Sequence, residues 1–183
     1  TAEILNYYMA ILLYQGNNGQ KQAEEGPFST IDNLISRMYQ VISSESAESR
    51  NWDVFRKLFR SEARINALGK DNLGHERFIS LTVEDYIRGA EASFQKQSLI
   101  EQEIGRIVEQ YGDMVHVFST YETKDSTNEK VLQRGINSIQ LIYREERYWI
   151  VSLLFNPETN DNPITDRHLF PKEAAKPVKT RKP

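Results

Sequence analysis

The chain has 183 residues, 39% of them hydrophobic and 27% charged, with a formal net charge of −3. That length fits one domain with tails, and it suffices to bury a core without disulfide or metal staples. The small negative charge gives no global electrostatic basis for binding nucleic acid or an anionic membrane, so no specific nucleic-acid partner is expected.

There is no cysteine, which excludes disulfides, thiol nucleophiles and thiolate metal sites. The three histidines, His75, His116 and His168, are widely spaced and form no zinc-binding pattern; no metal and no cofactor is expected. No apolar run approaches the roughly 18 residues needed to span a bilayer.

Residues 4–14 read I-L-N-Y-Y-M-A-I-L-L-Y. Two readings stay open: the remnant of a secretory signal, or a short buried or amphipathic helix. No basic segment precedes the stretch and no A-x-A site follows it. A cytoplasmic location fits those absences, whereas a periplasmic or secreted one follows if residues 1–28 are a signal remnant. Residues 15–27, rich in Gly, Asn, Gln and Glu, have the composition of a linker. The domain is expected over residues 29–170.

Ser29 with Asp32 three residues on is a capping-box pattern. Ile31, Leu34, Ile35, Met38, Tyr39 and Ile42 then fall at helical spacing, and the small polar residues 43–49 should end the helix. A second helix is expected after Asn51, with Trp52, Phe55, Leu58 and Phe59 inward and Arg56, Lys57 and Arg60 outward. Residues 63–68 read as a strand, residues 69–72 as a turn, and residues 78–81 as a short return strand. Thr82 and Asp85 cap a third helix whose apolar face is Val83, Tyr86, Ile87, Ala90 and Phe94.

From Leu99 the pattern changes to period-two alternation. Residues 100–111 and 114–122 read as strands around a Gly112-Asp113 hairpin turn. Residues 124–129 read as a polar loop. Two more strands, 134–143 and 148–155, flank the charged turn 144–147. The tail 171–183 carries Lys172, Lys176, Lys179, Arg181 and Lys182 against Glu173. It reads as a disordered basic tail, with a weak non-specific tether to nucleic acid or acidic lipid as the alternative. Helices followed by a run of antiparallel strands make the fold class α+β.

The densest family-like text lies in the strands. Residues 111–122, Y-G-D-M-V-H-V-F-S-T-Y-E, resemble the G-x-x-A-H-V-x-S-x-Y-E stretch of a bacterial branch of the nuclear transport factor 2-like superfamily. Residues 134–141, R-G-I-N-S-I-Q-L, resemble its R-G-x-N-S-x-Q-L strand. Residues 148–154 are similar to its R-W-x-I-V-S strand, with Phe155 where Trp is common. Asn162-Pro163-Ile164 resembles its closing N-P-I-P, with Thr165 in place of the second proline. The resemblance spans about residues 29–170. It implies a cone-like curved antiparallel sheet packed on three helices, a cystatin-like roll with a pocket between sheet and helices. It also implies homodimers formed through the outer face of the sheet. The superfamily holds ketosteroid isomerases, SnoaL-like polyketide cyclases, dehydratases and binding modules, so the fold does not select an activity.

Candidate pocket residues are Arg64, Tyr86, His116, Tyr121, Arg134, Asn137, Ser138 and Gln140. His116 is the candidate acid or base, since imidazole titrates near neutral pH; the alternative is a buried structural histidine. Arg64 and Arg134 could fork onto an anionic ligand or pair with Glu101, Glu103 or Glu122. Alternation does not assign either face of residues 114–122 or 134–143 to the pocket. Isomerase chemistry needs a carboxylate base and an oxyanion pair. Glu101, Glu103 and Glu122 are the strand carboxylates and Tyr86 and Tyr121 the donors, but no aspartate lies in the central strands. The expectation is therefore a domain binding a small hydrophobic or polar–apolar ligand without robust catalysis. The alternatives are an enzyme on a hydrophobic carbonyl or polyketide-like substrate with His116 as acid/base, and a protein-interaction module.

Overall fold

The computed structural model describes residues 26–43, 50–71, 73–94 and 98–169. The readings of the N-terminal stretch up to residue 25 and of the basic tail lie outside the described residues. Helix α1 (Ile31–Ile42) buries Ile31, Leu34, Ile35, Met38, Tyr39 and Ile42, together with Val41. Burying one such aliphatic side chain is worth about 1.5–3 kcal/mol, so packing of this stripe holds the helix more than propensity does. Its N-cap is Thr30, whose Oγ1 accepts from the Asn33 N–H at 3.1 Å. Ser29, the cap expected from the sequence, instead donates to the Gly26 carbonyl at 2.7 Å. Asp32 is left to pair with Arg106 across the domain.

Helix α2 (Trp52–Arg56) is shorter than the apolar spacing predicts. Phe59 belongs to strand β1 (Phe59–Lys70), in register with Ile150 of the last strand. Phe55, Leu58 and Phe59 are all buried and satisfy either periodicity; pairing with the sheet decides between them. Strand β2 (Glu76–Leu81) returns antiparallel to β1. Helix α3 (Val83–Phe94) opens on a reciprocal cap. Thr82 Oγ1 accepts from the Asp85 N–H, and Asp85 accepts from the Thr82 N–H and hydroxyl. Ile87 and Ala90 are buried on its inner face.

Four long strands follow: β3 (Leu99–Tyr111), β4 (Met114–Asp125), β5 (Val131–Arg144) and β6 (Arg147–Pro157). β4 continues to Asp125, beyond the expected start of a loop at Lys124, because Lys124 pairs with Val131 and Asp125 with Leu99. The six-stranded sheet has the order β2-β1-β6-β5-β4-β3. Its pairs are antiparallel except β1–β6, which is parallel: β6 slots between β5 and the first strand of the domain. The architecture is α+β, a curved, unclosed sheet with three helices.

Burial resolves the two faces of the central strands. Val115, Val117, Ser119, Tyr121 and Thr123 of β4, with Asn137, Ile139 and Leu141 of β5, are buried under the helices. His116, Phe118 and Glu122, with Arg134, Ile136, Ser138, Gln140 and Ile142, have the opposite parity and take the outer face. A short 3-10 turn (Asp166–His168) covers part of that face, where the Thr120 hydroxyl donates to the His168 carbonyl at 2.6 Å. Gly105 is required there, since an added Cβ would sit 2.2 Å from the His168 carbonyl oxygen.

Candidate functional site

The inner face of the sheet is packed solid at one end and hollow at the other. The hollow is a cavity of about 540 Å³, within the usual range for small-molecule sites. Met38 and Ile42 of α1, Phe55 of α2, Ile65 of β1 and Leu153 and Phe155 of β6 form apolar walls. Tyr86, Glu101, Tyr121, Thr123, Gln133 and Asn137 supply the polar groups. Leu132 and Gln133 are exposed and mark the mouth at the start of β5.

Glu101 is the charged residue of this lining. Strand β3 holds it rigidly: the Ser43 hydroxyl, at the end of α1, bonds both its backbone N–H and its carbonyl, at 2.8 and 2.9 Å. Burial pushes its carboxyl up to about 7, against the lowering effect of the Thr123 hydroxyl, which donates to it at 3.0 Å. Burial raises the Tyr86 and Tyr121 phenols well above their ordinary value, and the charge on Glu101 adds to it. Both are therefore neutral hydroxyls at physiological pH. Gly135, the register partner of Tyr121, makes room for its ring: a Cβ there would lie 2.5 Å from the Tyr121 hydroxyl.

A buried polar chain runs from the cavity to the surface. Arg106, 2% exposed, forks onto Glu103 at 2.8 and 2.6 Å and also reaches Asp32. Burial opposes its charge, but the two carboxylates outweigh that and hold its pKa above the ordinary value. Ser119 donates to Glu103 at 2.6 Å. Tyr39 lies 2.7 Å from the Ser119 hydroxyl, and the Asn137 amide nitrogen donates to Tyr39 at 3.0 Å. Because the Glu103 carboxylate only accepts, each hydroxyl must point toward it in turn. The Asn137 Nδ2 is thereby committed to Tyr39.

Of the sequence candidates, the structure brings Tyr86, Tyr121 and Asn137 together on the cavity. His116, Arg64, Arg134, Ser138 and Gln140 are not among its lining residues. His116 bonds Ser138 at 2.9 Å and packs edge-on against Phe118 on the outer face. Arg134 faces Glu158 at 3.7 Å, Gln140 is exposed, and Arg64 is exposed on β1. Glu101, which the sequence offered as a strand carboxylate but not as a pocket residue, joins Tyr86, Tyr121 and Asn137 on the cavity, as do Thr123 and Gln133, each one residue outside the strand bounds read from the sequence. Among the described residues no group of three or more His, Asp or Glu could hold a metal ion, and no helix is long and apolar enough to cross a membrane.

The same arrangement of sheet and helices recurs in solved structures. A protein of unknown function with a cystatin-like fold from Nostoc punctiforme superposes with a TM-score of 0.56 at 10% identity, covering 72% of this chain and 90% of that one. This is the nuclear transport factor 2-like fold. A protein of that family assigned as a dehydratase, from Streptomyces avermitilis, aligns with a TM-score of 0.52 at 9% identity, over 72% of this chain and 96% of its own. A third neighbour is assigned as the beta subunit of an aromatic-ring-hydroxylating dioxygenase from Novosphingobium aromaticivorans; its TM-score is 0.56 at 11% identity, over 72% of this chain and 88% of that one. At such identities the likeness shows the fold alone. No family model and no curated protein matches the sequence.

Proposed function

We propose that this domain binds a small, largely apolar molecule through the cavity between sheet and helices, with Glu101 as the polar anchor. The observation that carries this reading is one carboxyl set in a cavity of about 540 Å³ whose walls are mostly apolar. A carboxyl pushed up to about 7 by burial is costly to keep unless a ligand uses it. Native mass spectrometry of the purified protein should show a co-purifying adduct. Leu153→Trp, which fills the cavity, should abolish it. A protein that shows no adduct and binds no apolar probe would sink the reading.

A second reading is an enzyme acting on a hydrophobic carbonyl compound. Glu101, rather than His116, would then be the acid/base: a carboxyl near 7 can both take and give a proton at physiological pH, and the Tyr86 and Tyr121 hydroxyls share its cavity. Exchange of the α-hydrogens of an enolisable apolar ketone in D2O, lost in E101Q, tests it. No exchange above the buffer rate would reject it.

The reading extends to a homodimer formed through the outer face of the sheet. Phe118, Ile136, Ile142 and Trp149 lie on that face without being fully buried, and Met114 is 62% exposed at its edge. Light scattering at micromolar concentration should give twice the chain mass; a monomer counts against this interface.

A further inference from the structure

We infer that the cavity selects a hydrophobic ligand bearing a protonated amine, with the Glu101 carboxylate and the Asn137 carboxamide oxygen as its acceptors. The inference rests on the reading of the cavity as a binding site and adds the chemical class of the ligand.

Charge is the first argument. Among the described lining residues Glu101 is acidic and none is basic. An anionic ligand would meet no counter-charge among these lining residues and would face the Glu101 carboxylate instead. An ammonium group would supply the partner that Glu103 has in Arg106 and Glu101 does not have among the lining residues.

Hydrogen-bond direction is the second. Arg106 fixes Glu103 as an acceptor, which orients Ser119, then Tyr39, then the amide of Asn137. With Nδ2 turned to Tyr39, Asn137 offers Oδ1 to the cavity it lines. One oxygen of Glu101 takes the Thr123 hydroxyl, leaving the other for a ligand. The two groups whose direction this network fixes, Glu101 and Asn137, are thus acceptors and call for a donor, whereas the Tyr86 and Tyr121 hydroxyls of the same lining can turn either way. A ketone could accept from Tyr86 or Tyr121, but it would leave the oxygens of Glu101 and Asn137 without a hydrogen.

Aromatic lining is the third. Phe55, Tyr86, Tyr121 and Phe155 surround the same space, with Phe55 and Tyr86 stacked at 5.4 Å. Ring faces attract an ammonium and tolerate its apolar substituent. The groups that bear on Glu101 are the Thr123 hydroxyl and the Tyr39, Tyr86 and Tyr121 phenols, all held neutral by burial, with Arg50 acting on Tyr86 from outside the lining.

The test is calorimetric titration of the full chain at about pH 7 with phenylbutylamine, phenylbutanol and phenylbutyrate, which share one apolar skeleton. The amine should bind at least about tenfold tighter than the alcohol, the scale of a hydrogen bond to a charged group, and the carboxylate should be weakest. In E101Q the amine-to-alcohol ratio should fall to about one. Repeating the amine titration in buffers of different ionisation enthalpy should show protons released on binding, fewer as the pH rises, because the ammonium draws Glu101 into its charged form. An alcohol that binds as tightly as the amine, a preference that survives in E101Q, or proton uptake with the amine would each overturn the amine assignment while leaving the binding site standing. Failure of all three probes to bind would overturn the binding-site reading and the amine assignment together.

Discussion

Glu101 and Glu103 stand two residues apart on β3 and face the same side of the sheet, yet they live in opposite worlds. Glu103 is forked onto Arg106 and takes the Ser119 hydroxyl; it closes a filled, fully bonded end of the core. Glu101 has the Thr123 hydroxyl and opens onto the cavity. The first is a carboxylate whose partners make it part of the structure. The second is a carboxyl that burial holds near neutrality, with no cation among its described lining residues. Neighbouring positions with the same chemistry therefore separate scaffold from site, and each end can be perturbed in turn.

The largest effect is expected at the filled end. Arg106→Ala strands Glu103 and should destabilise the domain by about 3–5 kcal/mol, the usual consequence of breaking a buried pair on one side. Denaturant midpoints should show it, and E103L/R106M should recover much of the loss. If Arg106→Ala costs under about 1 kcal/mol, the filled end is not built on this pair.

The cavity end should respond with the opposite sign. Glu101 has its folded pKa raised from 4.5 to about 7. The stability tied to its neutral form is fully present below about pH 4.5 and is lost as the pH rises through about 7. E101Q, which keeps an acceptor for Thr123, should therefore stabilise the domain by about 3 kcal/mol at about pH 8 and by little near pH 4.5. Melting curves of both proteins across that range measure it. Parallel curves would show that Glu101 is solvated, and the contrast with Glu103 would vanish. Tyr39 joins the two ends. Tyr39→Phe leaves Asn137 and Ser119 without their shared partner and should cost about 1–3 kcal/mol. It should also weaken amine binding in the cavity if Tyr39 is what orients Asn137.

Much of the scaffold was legible in the sequence. The stripe of Leu34, Ile35 and Met38, the Thr82–Asp85 cap and the strand sequence after Leu99 all follow from periodicity and turn chemistry. The site was less so, because face assignment depends on tertiary placement. On β4 and β5 alternation separated Tyr121 and Asn137 from His116 and Ser138, but burial under the helices was needed to say which set was inside. On β3 alternation itself breaks. The register slips between Glu103 and Gly105, where Glu103 opposes Tyr121 and Gly105 opposes Thr120. Ile104 is the extra residue, and this bulge lets Glu101, Glu103 and Arg106 all face inward. Gly105 within a strand was the available signal, since such a glycine marks a bulge or a close backbone approach, and here it marks both. Phe59 shows the other limit: three buried aromatic and aliphatic residues suit a helix and a strand alike, and only the partner Ile150 settles it.

The smallest expected effect lies at the far tip of the β5–β6 hairpin, and it serves as the control for the others. Glu145 and Glu146 both hold positive φ, 57° and 60°, the left-handed conformation that two-residue hairpins demand and that Asn-Gly meets more cheaply than Glu-Glu. Nothing in the polar chain or the cavity lining includes them. E146G should stabilise the domain by about 1 kcal/mol by relieving the Cβ penalty, partly offset by the entropy of a freer unfolded chain. Glu146 lies some nine residues along the hairpin from Asn137, roughly 30 Å of extended strand, so its gain should be the same at about pH 5 and pH 8 and should add to that of E101Q. A gain that changed with pH, or that failed to add, would mean that strain at the tip reaches the cavity through β5. Glu101 would then be reporting on the whole sheet, and the division between a filled end and a working end would have to be redrawn.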